Sequence, residues 1–416
     1  MHDVKTQAQT DPVRAPTGTY FICNAVMLGA CIGLAYWTFR LAYGNAVFNS
    51  RAPGAIERAT KLDPWNASYF AEFAIRSDPM TGNAALRRAT ELDPLNSAYW
   101  IRTGIREEFA GDPKAAERSY LEASRVSRLF SPRIMLMNFY FRQGDQEHFW
   151  RWAKAAFEIG YGDLDGTFLL CWQMAPDANV VLNRALPENP AILAQFLGFV
   201  VRNAGVVAAR PVAGELLSHA NVASKVALLD YCEELLAAKR PCEAHEIWLG
   251  LAHRGLIATI NAGSPKNLVF NAALGAVPSQ RGFDWKLSSN PEVTVAPDAT
   301  PDEIRLAFSG NQPEQAEVLS QIVALDGSPF YRLSFEERTS SHSDPGLTWQ
   351  IEDLETRSEL ARLPIAQSDE WAGQAVQLKA PQTPFIRLTL RYQRGRGTVR
   401  YEGQVLVRQL QLVGTE

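Results

Sequence analysis

The sequence predicts a multidomain α + β chain: one transmembrane helix, then a solenoid of paired α-helices, then an antiparallel β-sandwich. Three observations predict it. Residues 20–39 carry no charged side chain, a fourteen-residue segment recurs at an offset of thirty residues, and beyond residue 265 apolar residues pass from helical to alternating spacing. At 416 residues the chain exceeds a single core and allows two or three domains. With 46% hydrophobic and 21% charged residues, no long segment reads as disordered, and a net charge of -4 gives no reason to expect a nucleic-acid partner.

The first element follows a short tail, residues 1–19, and is predicted over residues 20–43. A helix of about 20 residues spans about 30 Å, the thickness of the hydrocarbon core. Tyr20 at one end and Tyr36, Trp37 and Tyr43 at the other fall where aromatic belts form, and Arg40 can snorkel to the interface. Leu28-Gly29-Ala30-Cys31 also reads as a lipoprotein cleavage box, yet the apolar run continues past Cys31. Lys5 and Arg14 nearly balance Arg40 and Arg51, so charge leaves orientation open. A short tail before one helix and a large domain leads us to expect a bacterial inner-membrane anchor with the bulk of the chain in the periplasm.

The second element, residues 50–263, rests on the repeat. Residues 57–70 and 87–100 align without a gap, Ala59 on Ala89, and both contain Ala-Thr-x-Leu-Asp-Pro. A helix with Ala and Leu on one face stops before the proline, which removes a donor and restricts its predecessor, and Asn66 or Asn96 caps the next helix. Trp100, Gly104, Ala116, Tyr120 and Ala123, with a turn at Gly111-Asp112-Pro113, resemble the tetratricopeptide repeat. Thr103 and Glu107 depart from that pattern and Pro132 arrives late. A third pair is predicted over residues 132–160, with a turn at Gly144-Asp145. Irregular helices follow near residues 190–203, 222–239 and 241–254. The resemblance implies a groove that binds a protein partner. Trp65, Tyr69, Tyr99 and Trp100 either contact that partner or lock neighbouring helices.

The third element, residues 266–416, follows Gly263-Ser264-Pro265. Strands are predicted over residues 318–323, 331–335, 348–351, 385–390 and 405–407. Asn267 to Asn271 as a first strand, Phe283-Asp284-Trp285, the paired central strands, Glu370-Trp371 and Gly403 to Val407 resemble in order a jelly-roll carbohydrate-binding module of the galactose-binding-like group. The resemblance implies glycan binding on exposed aromatic platforms, for which Trp285, Trp349 and Trp371 are candidates if they are not core. Ala272-Ala273-Leu274 and Arg408 stand where calcium-binding relatives carry other residues, which argues against a structural calcium. Alternation puts Arg387 and Arg391 on one face of a strand leading to Arg394 and Arg396, a cluster that either binds an anion or is simply solvated.

Nothing in the sequence demands catalysis, a cofactor or a metal. His245-Glu246-Ile247-Trp248-Leu249 has leucine where a helical zinc site needs its second histidine. Five scattered cysteines make no disulfide scaffold, although Cys232 and Cys242 could pair if their Cα atoms came within roughly 7 Å. The expectation is a non-enzymatic scaffold or assembly protein of a bacterial envelope complex, in exopolysaccharide synthesis or export. The alternative is a membrane-displayed carbohydrate-binding protein.

Overall fold

The computed structural model describes residues 17–50, 52–257, 266–300, 302–341 and 343–416. Lys5, Arg14, Arg51, the Tyr20 side chain and the Gly263-Ser264-Pro265 boundary lie outside them. The chain forms two compact units, Met1–Ile159 and Gly160–Glu416.

In the first unit, helices α1 (Thr17–Asn49), α2 (Ala55–Leu62), α3 (Ala67–Arg76), α4 (Pro79–Leu92), α5 (Ser97–Phe109), α6 (Pro113–Val126), α7 (Phe130–Gln143) and α8 (Gln146–Phe157) pack in sequence as hairpins. The recurrent segment builds the same junction twice. Asp63 and Asp93 end α2 and α4 in nearly equal backbone conformations, and Asn66 and Asn96 cap α3 and α5 through Oδ1 to the amides of Ser68 at 3.1 Å and Ala98 at 3.2 Å. Tyr69 and Tyr99 lie buried at equivalent places. Gly104 lets α5 and α6 approach so closely that an added Cβ would stand 2.7 Å from the Tyr120 ring. Asp112 caps α6 after the turn at Gly111, and Pro132 sits in the first turn of α7, where a missing amide costs nothing.

Helix α1 is apolar enough to cross a membrane, and it does not stop where the apolar run does. It passes through Cys31 unbroken, and its last turns form the first helix of the first hairpin, with Gly44 against Leu62 and Phe48 stacked on Tyr69 at 4.5 Å. Arg40 is not left to snorkel. Its Nε donates to the Leu62 carbonyl at 2.7 Å and its Nη2 to that of Lys61 at 3.2 Å, satisfying orphan acceptors at the end of α2.

Among the described residues, the second unit joins five helices to the sandwich. These are α9 (Asp165–Met174), α10 (Ala178–Ala185), α11 (Pro190–Ser218), α12 (Lys225–Ala237) and α13 (Pro241–His253). Helix α11 is also long and apolar enough to span a bilayer, but Gly205, at φ 82° and ψ 172°, breaks it in two, and both halves bury residues such as Phe196 and Val212 in the protein. It is a core helix. Cys232 is buried and points its thiol at the Ala244 carbonyl, Cys242 is exposed, and both are free.

The described residues then form ten antiparallel strands: β1 (Lys286–Leu287), β2 (Val293–Pro297), β3 (Glu303–Ser309), β4 (Gln315–Ala324), β5 (Phe330–Thr339), β6 (Leu347–Asp353), β7 (Glu359–Pro364), β8 (Ala372–Lys379), β9 (Phe385–Gln393) and β10 (Glu402–Thr415). One sheet has the order β1-β4-β9-β6-β7 and the other β2-β3-β10-β5-β8. The order β3-β10-β5-β8 facing β4-β9-β6-β7 is a jelly roll. The stretch expected as a first strand, Asn267 to Asn271, forms no ladder. It is held to β10 instead by Leu268 N to Leu412 O at 2.9 Å and by the Asn267 side chain, which donates to Leu410 O and accepts from Leu412 N.

Helices α12 and α13 lie against the sandwich. Trp248 meets Phe270 edge-on at 5.4 Å and Phe283 at 5.9 Å, His245 stands over Phe283 and Phe385, and Glu233 and Asp230 pair with Lys286 at 2.8 Å and Arg281 at 2.6 Å. The change from helix to strand is therefore no boundary between independent bodies.

Candidate functional site

The tryptophans expected as sugar platforms are not available as platforms. Trp285 and Trp349 are fully buried, 6.2 Å apart between the sheets, because β6 alternation turns Trp349 and Ile351 inward and Trp285 closes the end of the core beside Val269 and Leu274. Trp371 is half-buried outside the second sheet, but Arg408 stacks on its ring at 3.9 Å and Arg338 at 4.9 Å. Arg408 is in turn held by Glu336 at 2.6 Å, so the ring face is occupied by a fixed cation.

The basic strand does contribute to a concave site. Opposite residues of an antiparallel pair share a face, so Arg387, Thr389 and Arg391 of β9 stand beside Glu317 and Ser320 of β4 and beside Glu352, Gln350 and Thr348 of β6. Of these, Glu317, Arg391, Thr348 and Gln350, together with Arg362 of β7 and Gln315 and Gln393 at the strand ends, line an open groove of about 250 Å³. Arg387 binds Glu317 at 2.9 Å, Arg391 reaches toward Glu352 at 3.9 Å, and Arg362 pairs with Glu359 at 2.7 Å. Burial works to raise the Glu317 carboxyl, but the Ser320 hydroxyl at 2.6 Å and the two arginines outweigh it and hold the group below its usual range. It is an anion here and not a stored proton. Arg394 is turned out of the groove onto Glu314 at 2.8 Å, and Arg396 lies on the exposed loop beyond. The structure thus brings Arg387 and Arg391 together and separates them from Arg394 and Arg396.

What the groove offers is hydrogen bonding. Two guanidinium groups and three primary amides suit vicinal hydroxyls or a carboxylate, while its one aromatic, Tyr392, is buried and offers no stacking face. Gln315, Gln350, Arg362 and Gln393 were not singled out from sequence. The signal was available only as their outward parity, which means nothing until β6 and β7 are known to be neighbours.

Of the aromatics expected on a repeat groove, Tyr69 and Tyr99 are buried and belong to helix packing, since Tyr69 stacks on Phe48 and Tyr99 closes on Ala71 and Ala89. Trp100 is half-buried and donates to the Pro94 carbonyl at 2.9 Å. Trp65 is the exception, 71% exposed. Other large apolar side chains stand out at helix ends: Leu95 is 76% exposed, Leu129 67%, Met80 81% and Phe109 89%. Consecutive helices joined by short loops run antiparallel. Trp65, Leu95 and Leu129 therefore lie on one edge of the first unit, and Met80 and Phe109, with the α3–α4 and α5–α6 turns, lie on the other.

Solved structures of two kinds resemble the chain. A CBM4 module aligns with 35% of the chain and 99% of its own length at 10% identity and a TM-score of 0.27, and TmCBM61, solved with β-1,4-galactotriose, aligns with 36% and 99% at 16% identity and a TM-score of 0.27. For the helices, YrrB, described as a TPR protein with an unusual peptide-binding site, aligns with 48% of the chain and 91% of its own length at 12% identity and a TM-score of 0.22. No protein-family model and no curated protein sequence matches the chain. The fold assignment stands on the helix hairpins and the strand order.

Proposed function

We propose that the chain is a non-catalytic, membrane-anchored scaffold of a bacterial envelope system that makes or exports polysaccharide, with its bulk on the periplasmic side. The first unit holds a protein partner. The observation that carries this reading is the exposure of Met80 and Phe109 on one edge of a helical unit whose own core is already filled by Leu86, Tyr120 and Phe139. Large apolar side chains left in water on one edge are typical of a surface that another protein covers. Capture of a partner from detergent-solubilised membranes by the full chain tests it: M80E and F109E should lower recovery at least tenfold, and R391A should leave it unchanged. Equal recovery with all three variants would remove the protein-binding reading. Protease protection in sealed spheroplasts tests the orientation.

The groove on the first sheet supports a second reading, display of a carbohydrate-binding module at the membrane. Its polar lining suits an acidic or hydroxyl-rich glycan without aromatic stacking, and each hydrogen bond from an arginine contributes about 1.5–3 kcal/mol. Binding on a glycan array that falls with R391A and not with M80E would favour it over the scaffold.

A further inference from the structure

We infer that the edge of the first unit carrying Trp65 and Leu95 seats in the interfacial layer of the same bilayer that α1 crosses, so that the unit lies against the membrane. This rests on the reading of α1 as a membrane span. Three observations carry it.

First, there is no tether. Helix α1 runs without interruption from the apolar segment into the hairpin, and Arg40 ties it to the last two carbonyls of α2. The loop that follows α2 is thereby fixed at the level of Arg40.

Second, that level is the end of the apolar run. Trp37 and Leu41 line the same surface hollow as Trp65, Asn66, Leu92 and Asp93, so both copies of the Asp-Pro-x-Asn loop stand beside the part of α1 where an aromatic belt belongs. Arg40 lies over the Trp37 ring at 5.1 Å and Arg88 near the Trp65 ring at 5.9 Å, which puts cations among the aromatics as at a headgroup layer.

Third, the loops present apolar groups and engage their acids locally. Trp65 and Leu95 occupy the one variable position of the repeated Asp-Pro-x-Asn and are both mostly exposed. Asp63 accepts from the Trp65 amide at 3.2 Å and Asp93 from the Asn96 side chain at 3.2 Å, so each carboxylate is engaged within its own loop. A water-facing turn would more economically carry polar residues there. A bilayer interface fits tryptophan best, since its ring is apolar with one polar handle.

The test uses the full chain reconstituted in phosphatidylcholine vesicles, with and without lipid brominated close to the headgroup, and reads tryptophan emission. W37F should remove a quenched component if α1 is inserted. W65F should remove a second one, L95W should add a quenched component, and M80W, on the opposite edge, should add an unquenched one. If W37F removes a quenched component but W65F does not and L95W adds none, the inference is overturned while α1 remains a membrane span. If W37F removes none, both fall. Equal quenching at positions 80 and 95 would overturn the inferred orientation.

Discussion

Replacing Gly104 by alanine isolates the close approach of α5 and α6. The new methyl would meet three Tyr120 ring atoms at 2.7, 2.8 and 3.0 Å, well inside the separation of about 3.5–4.0 Å at which carbon atoms attract. The ring cannot yield cheaply. It is fully buried, lies 5.5 Å from Phe139, and its hydroxyl donates at 3.0 Å to Glu108, which Arg142 grips at 2.7 and 2.8 Å. Overpacking of this kind costs about 1–3 kcal/mol, and a pinned ring puts the cost at the upper end. Alanine regains about 1 kcal/mol of helix propensity, leaving a net loss of about 2 kcal/mol. Urea unfolding of the detergent-solubilised chain followed by circular dichroism, with a slope of about 2 kcal/mol per molar, should show the first unit's midpoint falling by about 1 M. Gly214 is the control: it is exposed in α11 with nothing near its would-be Cβ, so G214A should raise stability by about 0.5–1 kcal/mol. If G104A behaves like G214A, the account of why the repeat needs glycine there is wrong.

N66A and N96A should each cost about 1 kcal/mol in the same assay, and by nearly equal amounts because the two caps are geometrically alike; a loss at only one would break the structural equivalence of the copies. Glu337 points into the sandwich core, where burial raises its carboxyl, against lesser lowering by hydrogen bonds from the Ala366 amide and the Gln374 side chain. The native state therefore holds that proton to higher pH than the unfolded chain does, and this contribution, complete below about pH 4.3, is lost as pH rises through the raised native value. Melting temperatures should show E337Q gaining on the wild type as pH rises from 4.5 to 8, and parallel curves would refute the burial argument. W248A removes the ring between α13 and the sandwich, a change that costs about 3–5 kcal/mol in a core. Calorimetry should show the second unit's transition split or broadened, whereas an unchanged trace would mean that the contact does not couple helices to sheets.

Much of this architecture was legible because its signals are local. The Asp-Pro stop and the Asn cap act within a few residues, and Gly104 and Tyr120 keep their offset within one helix hairpin, so their pattern survives in a single sequence. The strands at Val318, Tyr331, Thr348, Phe385 and Val405 were readable from alternation, while β7 and β8 were not, because β7 breaks alternation at Leu360-Ala361 and β8 carries Ala372 and Gln374 at inward-facing positions. What the sequence left open was exposure. A tryptophan in a strand looks alike whether its parity faces the core or solvent, and Trp349 needed the β6–β9 register to place it inside. Trp371 was harder still, since the two arginines that cover it come from β5 and β10. The groove joins β4, β9, β6 and β7, and sequence alone has no means of putting those four side by side.

The break at Gly205 has a consequence for biogenesis. Crossing a bilayer takes about 20 apolar residues in one continuous helix, and α11 falls short of that on either side of the break, with Arg202 and Arg210 flanking it. An alanine at position 205 would strain the break, since only glycine tolerates its conformation, and would thereby favour an unbroken rod. With α1 as the proposed anchor and the sandwich on the proposed periplasmic side, that one methyl group would offer the insertion machinery a second stop signal and leave the sandwich across the membrane from its proposed place.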